Sequence, residues 1–260
     1  MAKYAQKWVV ISPQDEFLLR IVNDFGVVSA EHLYALMNKS DQYTSRRILK
    51  LTNFGYLNRA GERINFGSYN YTLGPKGITE LKKLNLSPKR RVFSFHTLYR
   101  AQVRACIMLA CRDSGLNLTH WHAEDRFGGR IQTNFKEWHI SLIPDDFFII
   151  EKNGKPHFFF VEVDLSSSSK THAQKMKDYE VVWRLAIKKP LTFQGHTFDD
   201  FTVLSIIDTE PRMEAMKKAT KIDEPALCLF ATYDKFDINN PLNVLGEIWE
   251  APDDTKHPLV

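Results

Sequence analysis

Ile143-Pro144-Asp145-Asp146-Phe147-Phe148-Ile149-Ile150, Glu151-Lys152-Asn153-Gly154-Lys155-Pro156, then Phe158-Phe159-Phe160-Val161-Glu162-Val163-Asp164, four serines, and Lys170 to Tyr179 form the stretch that decides the fold. Two apolar runs rich in Phe, Val and Ile flank a polar turn with Asn-Gly at its centre, the pattern of a β-hairpin. The segment after the serines reads as a helix. Side chains alternate along a strand, so Glu162 and Asp164 share one face and Val163 takes the other. The hairpin brings Asp145 or Asp146 close to that pair. Three converging carboxylates repel each other, and a divalent cation would neutralise them. An all-oxygen ligand set favours magnesium, manganese or calcium over zinc.

Pro144-Asp145, an apolar strand and Glu162-Val163-Asp164 resemble the PD-(D/E)xK nuclease motif, with Asp164 where the motif carries lysine. Taken with the amino-terminal region, residues 10 to 250 resemble the plasmid replication-relaxation family, which includes the MobC-type relaxases of mobilisable plasmids. The resemblance implies a winged helix-turn-helix followed by a mixed-sheet, α+β or α/β, PD-(D/E)xK nuclease-like domain. It also implies metal-dependent nicking of DNA at an origin of transfer or replication. Double-stranded DNA is the implied partner, with relaxosome-type proteins and a second copy of the chain as further partners. Mg²⁺ or Mn²⁺ is the implied cofactor, held by Asp145, Glu162 and Asp164, with Glu124 as an additional upstream acid; the alternative for Glu124 is a surface charge.

Without the motif lysine, catalysis needs a substitute cation from the chain or a second metal. Lys175 and Tyr179 are four apart and share a helix face. Similar nuclease folds place a cation or amide from this helix in the site, so Lys175 is the candidate, with Gln174 and Lys170 as rivals and a solvent-exposed face as the alternative. Metal-activated water would suffice for cleavage, and Tyr179 is the nearest group for a covalent intermediate. The serines read as a turn and N-cap for this helix, or as a flexible linker.

Upstream, helices are expected over residues 13–24, with Phe17, Leu18, Ile21 and Val22 as one apolar stripe, and over 30–37, capped by Ser29, with Leu33, Leu36 and Met37 inward. A third runs over 42–53 with Ile48, Leu49 and Leu51 buried. Residues 25–28 read as a connector. Short strands at 56–59 and 68–73 and a helix at 78–84 follow, the order of a winged helix. The third helix carries Tyr43, Thr44, Ser45, Arg46, Arg47 and Lys50, short polar groups for base edges and cations for phosphate. Arg59 and Arg63 fall at or near the wing, and Lys89, Arg90 and Arg91 form a basic linker. The alternative is a solvated helix face on a dimerisation module. The expected domains are residues 1–87, a linker at 88–95, a nuclease-like domain at 96–250 and a frayed tail at 251–260.

Downstream of the linker a helix is expected over 96–114. The family resemblance gives a histidine at its start, His96, a role in packing or site support. A strand over 117–124 and a polar loop over 126–137 lead back to the hairpin. Beyond it, a strand at 202–207, a helix at 212–221 and a strand at 226–232 suggest a crossover unit in a mixed sheet.

Residues 1–100 carry 16 Lys and Arg against 7 Asp and Glu, while the remainder carries 19 against 24. A basic front on an acidic back suggests a nucleic-acid-binding module joined to another function. The apolar share of 43% is that of an ordinary globular protein. No apolar run approaches the ~20 residues of a membrane span, and residues 1–7 lack a signal-peptide pattern, so a cytoplasmic protein is expected. Cys106, Cys111 and Cys228 show no metal spacing and read as buried thiols. No P-loop or Gly-rich dinucleotide motif occurs. Beside the nicking enzyme stand a catalytically inactive DNA-binding accessory or regulator with a degenerate nuclease fold, and a purely structural cluster in which Glu162 and Asp164 pair with Arg or Lys.

Overall fold

A computed structural model of the chain describes residues 10–61, 68–88, 93–123, 131–135 and 138–260. The chain divides into two compact units, Met1–Ala101 and Gln102–Val260.

The first unit contains α1 (Pro13–Phe25), β1 (Val28–Ser29), α2 (Ala30–Met37), α3 (Asp41–Asn53), β2 (Leu57–Ala60), β3 (Asn70–Leu73) and α4 (Pro75–Lys83). A capping box opens α1: the Ser12 side chain accepts from the Asp15 amide, and Asp15 accepts from the Ser12 amide, with Pro13 in the first turn. The apolar stripe of α1 is Leu18, Leu19, Ile21, Val22 and Phe25, while Phe17 is exposed. Leu36 is only part-buried and Leu49 faces solvent, so α3 buries Thr44, Ile48 and Leu51 instead. Within the expected connector, β1 pairs antiparallel with β3 and completes a three-stranded sheet ordered β1-β3-β2. Helix α4 starts three residues before the expected Ile78, because Pro75 suits a first turn. A Cβ at Gly77 would lie 2.3 Å from the Tyr56 carbonyl oxygen, so only glycine admits this close approach.

One ion pair ties this unit together. Arg47 of α3 donates through Nε to Asp15 Oδ1 at 2.6 Å, through Nη2 to Asp15 Oδ2, and to Ser12 Oγ at 3.0 Å. Asp15 is fully buried, so it sits out of water beside its own cap and one guanidinium.

Helix α5 (Phe95–Ser114) leads into the second unit. There the strands are β4 (Asn117–Ala123), β5 (Ile131–Phe135), β6 (Trp138–Leu142), β7 (Asp146–Lys152) and β8 (Lys155–Asp164). Helix α6 (Ser169–Lys188), a hairpin of β9 (Leu191–Phe193) and β10 (His196–Phe198), β11 (Thr202–Ile207), α7 (Glu210–Ala219), β12 (Cys228–Thr232), β13 (Trp249–Glu250) and β14 (Lys256–His257) follow. Seven strands form one mixed sheet ordered β14-β13-β12-β11-β8-β7-β4, with β8, β11 and β12 parallel. The β7–β8 turn places Asn153 and Gly154 at φ 54° and 74°, the conformation that Asn-Gly favours. Where a polar loop was expected, β5 pairs with β6 in a separate two-stranded sheet whose Ile131, Ile140 and Leu142 enter the core.

Each face of the large sheet has its own cover. Phe147, Phe160, Val203 and Cys228 line up across the register and pack with Met176 and Tyr179 of α6 and Met213 of α7. On the other face Trp121, Phe148 and Phe159 stack at 4.7 and 4.8 Å, and Arg104 of α5 lies 5.3 Å from the Trp121 ring. The tail is folded down rather than frayed. Buried Lys217 binds Glu214, Glu250 and Asp254 at 2.6 to 2.9 Å, β14 pairs with β13, and Leu259 is buried. The three cysteines are buried and unpaired by disulfide, with burial pushing the Cys106 thiol up to about 12.

Removing Arg47 leaves a carboxylate uncompensated in the interior. Arg47→Ala is expected to destabilise the chain by about 3 kcal/mol, whereas Arg46→Ala on the exposed face stays within about 0.5 kcal/mol. Urea denaturation of both variants measures the difference; equal effects would remove the ion pair from its anchoring role.

Candidate functional site

The carboxyl end of β8 lies beside the segment entering β7. The Asp145 amide donates to the Val161 carbonyl at 3.0 Å, and Asp145 Oδ2 accepts from the Val163 amide at 2.7 Å. These bonds fix Asp145 against β8, one residue from Glu162. Asp146 turns to the other face, where it accepts from Trp121 Nε1 at 3.0 Å. The choice between the two aspartates therefore falls on Asp145.

Glu162 is 4% exposed and points at α6. Lys175 Nζ donates to its Oε2 at 2.5 Å and also reaches the Ile143 carbonyl at 3.3 Å. The Tyr179 hydroxyl donates to its Oε1 at 2.6 Å. Burial pushes the Glu162 carboxyl up to about 8; Lys175 opposes that shift and neighbouring Asp145 adds to it. Burial prevails because the Lys175 ammonium is about a third exposed and is shared with a carbonyl.

Asp164 also faces the helices but has different partners. Its Oδ1 accepts from the Ser166 and Ser167 amides at 3.1 and 2.8 Å and from Arg212 Nη2 at 3.0 Å, while Oδ2 meets His172 Nδ1 at 3.3 Å. Burial alone would raise its carboxyl, but the hydrogen bonds from His172 and Ser167 hold it well below the usual carboxylate range. The serine run is thus a turn, and Ser168 caps α6 by accepting from the Thr171 amide. His172 is buried, and its Nε2 has no hydrogen-bond partner among the described residues.

The structure therefore joins Asp145, Glu162, Lys175 and Tyr179 in one cluster and sets Asp164 in an adjoining one with His172 and Arg212. Tyr179 is fully buried, and burial followed by the Glu162 charge raises its phenol well above the ordinary value. Its hydroxyl positions Glu162 and has no exposed path to a phosphodiester, which differs from the nucleophile expected. Lys170 is exposed, and Gln174 bonds Asp178, so neither rival of Lys175 reaches the carboxylates. Of the carboxylates expected to act together, Asp145 and Glu162 stand side by side at the end of β8, while Asp164 is engaged by its own partners. Sequence reading did not single out His172 or Arg212; the Asp164-to-His172 spacing across a capped turn was the available signal.

In the first unit, Tyr43 and Arg46 are exposed and Lys50 is part-exposed, and their spacing gathers them on one side of α3. Thr44 is buried and Ser45 bonds Tyr34 at 2.8 Å, groups expected at base edges, while Arg47, expected at phosphate, is committed to Asp15. Arg59 lies over the Tyr69 ring at 4.1 Å. Glu124, Arg63, Lys89, Arg90 and Arg91 lie outside the described residues.

A family model described as replication-relaxation matches residues 19–193, about two thirds of the chain. The chain belongs to the replication-relaxation family. That family points to a role in plasmid replication or mobilisation. No curated protein and no solved structure gives a significant match. No helix among the described residues is long and apolar enough to cross a membrane.

The folded chain holds the Glu162 proton up to about pH 8, whereas an ordinary glutamate releases it near 4.5. Folding stability is therefore expected to fall as pH rises through that window, and Glu162→Gln to flatten the slope. Urea midpoints at pH 5 and pH 8.5 in chelator measure it. A wild-type slope that the substitution leaves unchanged would contradict the buried-proton account.

Proposed function

We propose that this replication-relaxation protein binds double-stranded DNA through its first unit and nicks it at a metal-dependent site in its second. The observation that carries the reading is the position of Lys175. The motif lysine is absent at residue 164, yet a lysine from α6 stands 2.5 Å from Glu162 and 3.3 Å from the carbonyl beside Pro144-Asp145. Aspartate, glutamate and cation thus meet at the end of β8 although the sequence order of the motif is broken.

Asp145 and Glu162 would hold Mg²⁺ or Mn²⁺, which when bound supplies an activated water and charge neutralisation at the phosphate. The donor set fits: two oxygen donors crowd in a partly buried site, and the raised Glu162 carboxyl reflects a place where added positive charge is favourable. Lys175, partly exposed, orients Glu162 and offers its ammonium to a phosphate oxygen. Tyr179 fixes the carboxylate rotamer. Asp164, expected from the sequence as a further ligand, instead anchors the serine turn and α6.

In the first unit the order of α1, α2 and α3, a β2–β3 ribbon and α4 suits a winged helix-turn-helix, with α3 as the reading helix. Tyr43, Arg46 and Lys50 are its outward groups, with Arg59 beside the ribbon. The basic excess of residues 1–100 supports the same assignment.

The pairing of Glu162 with Lys175 and of Asp164 with Arg212 also favours a second reading, in which the carboxylates only hold the fold and the protein is a non-cleaving DNA-binding accessory. Supercoiled plasmid carrying the protein's own genetic neighbourhood separates the two. Mg²⁺ or Mn²⁺ is expected to yield open circles with wild-type protein, none with chelator, and none with Glu162→Ala, which keeps DNA binding. Intact bound plasmid in every lane would replace the nicking reading with the accessory one. Arg46→Ala and Lys50→Ala are each expected to weaken duplex binding and lower its salt slope by about 1. Unchanged affinity in both would remove α3 as the DNA-reading element.

A further inference from the structure

His120, His122 and His196 come together at the open edge of the large sheet. One ring nitrogen from each lies within 4.8 Å of the other two. Two features of the fold produce this. His120 and His122 are two apart on edge strand β4, so both face the same way, and they register against Ile149 and Phe147 of β7. A register shift between Leu118 and His120 marks an irregularity in the strand at that point. His196 opens β10 just after Gln194 and Gly195, whose φ angles of 51° and 81° make the tight turn of the β9–β10 hairpin. Phe193 of that hairpin packs edge-on to Phe147 at 5.4 Å, which holds His196 over β4. The rings of His120 and His196 are 4.0 Å apart between centroids.

We propose that His120, His122 and His196 bind a divalent transition-metal ion of the zinc type, which clips the β9–β10 hairpin to edge strand β4. Three imidazoles form a nitrogen-only donor set, which suits zinc, copper, nickel or cobalt and is poor for magnesium. Ligand nitrogens around tetrahedral zinc stand about 3.4 Å apart, so small rotamer adjustments close the observed spacing. His120 is exposed and the other two are part-buried, so the fourth position opens to water.

This site is separate from the carboxylates. His122 is two strands from β8, and Glu162 lies two residues beyond the aligned Phe160, a separation on the order of 12 Å. The inference does not rest on nicking. The second triad of possible ligands, Glu214, Glu250 and Asp254, is already ion-paired to Lys217 and carries no such proposal.

The test uses untagged, chelator-treated full chain titrated with Zn²⁺, and with Co²⁺ as a visible-absorbing probe. One equivalent of Zn²⁺ is expected to bind and, at about a hundred times its Kd, to raise Tm by roughly 5–10 °C. Hydrogen exchange over residues 191–198 is expected to slow. His120→Ala and His196→Asn are each expected to weaken binding by about tenfold or more, while Asp145→Asn and Glu162→Gln leave it unchanged. His120 is exposed, so its replacement preserves the fold, as circular dichroism without metal will check. Absence of Zn²⁺ and Co²⁺ binding, or binding that survives both histidine substitutions, would overturn the site. Binding without slowed exchange in the hairpin would overturn the clip.

Discussion

A single buried carboxylate, Glu162, sets the terms for the second unit. It leaves water on an interior strand of a seven-stranded sheet and is met there by Lys175 and Tyr179 from one helix face. An unpartnered carboxylate in that position would be costly. The contacts therefore constrain where α6 lies along β8. Asp164, two residues on, fixes the same helix by a second set of bonds, to the serine turn, His172 and Arg212. The helix that carries the candidate lysine is consequently held at both its cap and its second turn. The same economy appears in the first unit, where buried Asp15 caps α1 and pairs with Arg47 of α3.

In the proposed function, the motif keeps its cation despite the loss of one of its letters. Position 164 holds an acid, and its charge is consumed by local hydrogen bonds. The cation arrives from a different element, on a helix whose register is fixed by the carboxylate it serves. Membership of the replication-relaxation family points only to a role in plasmid replication or mobilisation. The pairing that places Lys175 also lets the carboxylates stand without a metal, so cation binding is the property on which the nicking account turns.

Much of this was legible in the sequence because its signals are local. Asn153-Gly154 between two Phe-rich runs is a hairpin signal, and it forms the β7–β8 turn. Ser29 and the serine run announced helix starts, and the Lys175–Tyr179 spacing announced a shared face. The misplaced features depend on distant partners. Phe17 and Leu49 look like core residues by type, but their helices bury Leu19 and Thr44 because of the neighbours they meet. Arg47 reads as a surface cation until Asp15, 32 residues earlier, is folded beside it. β1 is two residues long, and β5 lies in a polar stretch, so neither has the length or alternation that marks a strand. The tail looked frayed because its anchor, Lys217, sits on another helix. The histidine cluster needs β4 and β10, more than 70 residues apart in sequence, to meet at one edge.

The central claim is that Asp145 and Glu162 form a cation site. Mn²⁺ binding to the metal-free protein, followed by electron paramagnetic resonance in the absence of DNA, addresses it most directly. The account predicts one Mn²⁺ site that is lost in Asp145→Asn and in Glu162→Gln and kept in His120→Ala. Equal Mn²⁺ binding in wild type and both carboxylate variants, or none in any of them, would contradict it and leave the cluster as a fold anchor.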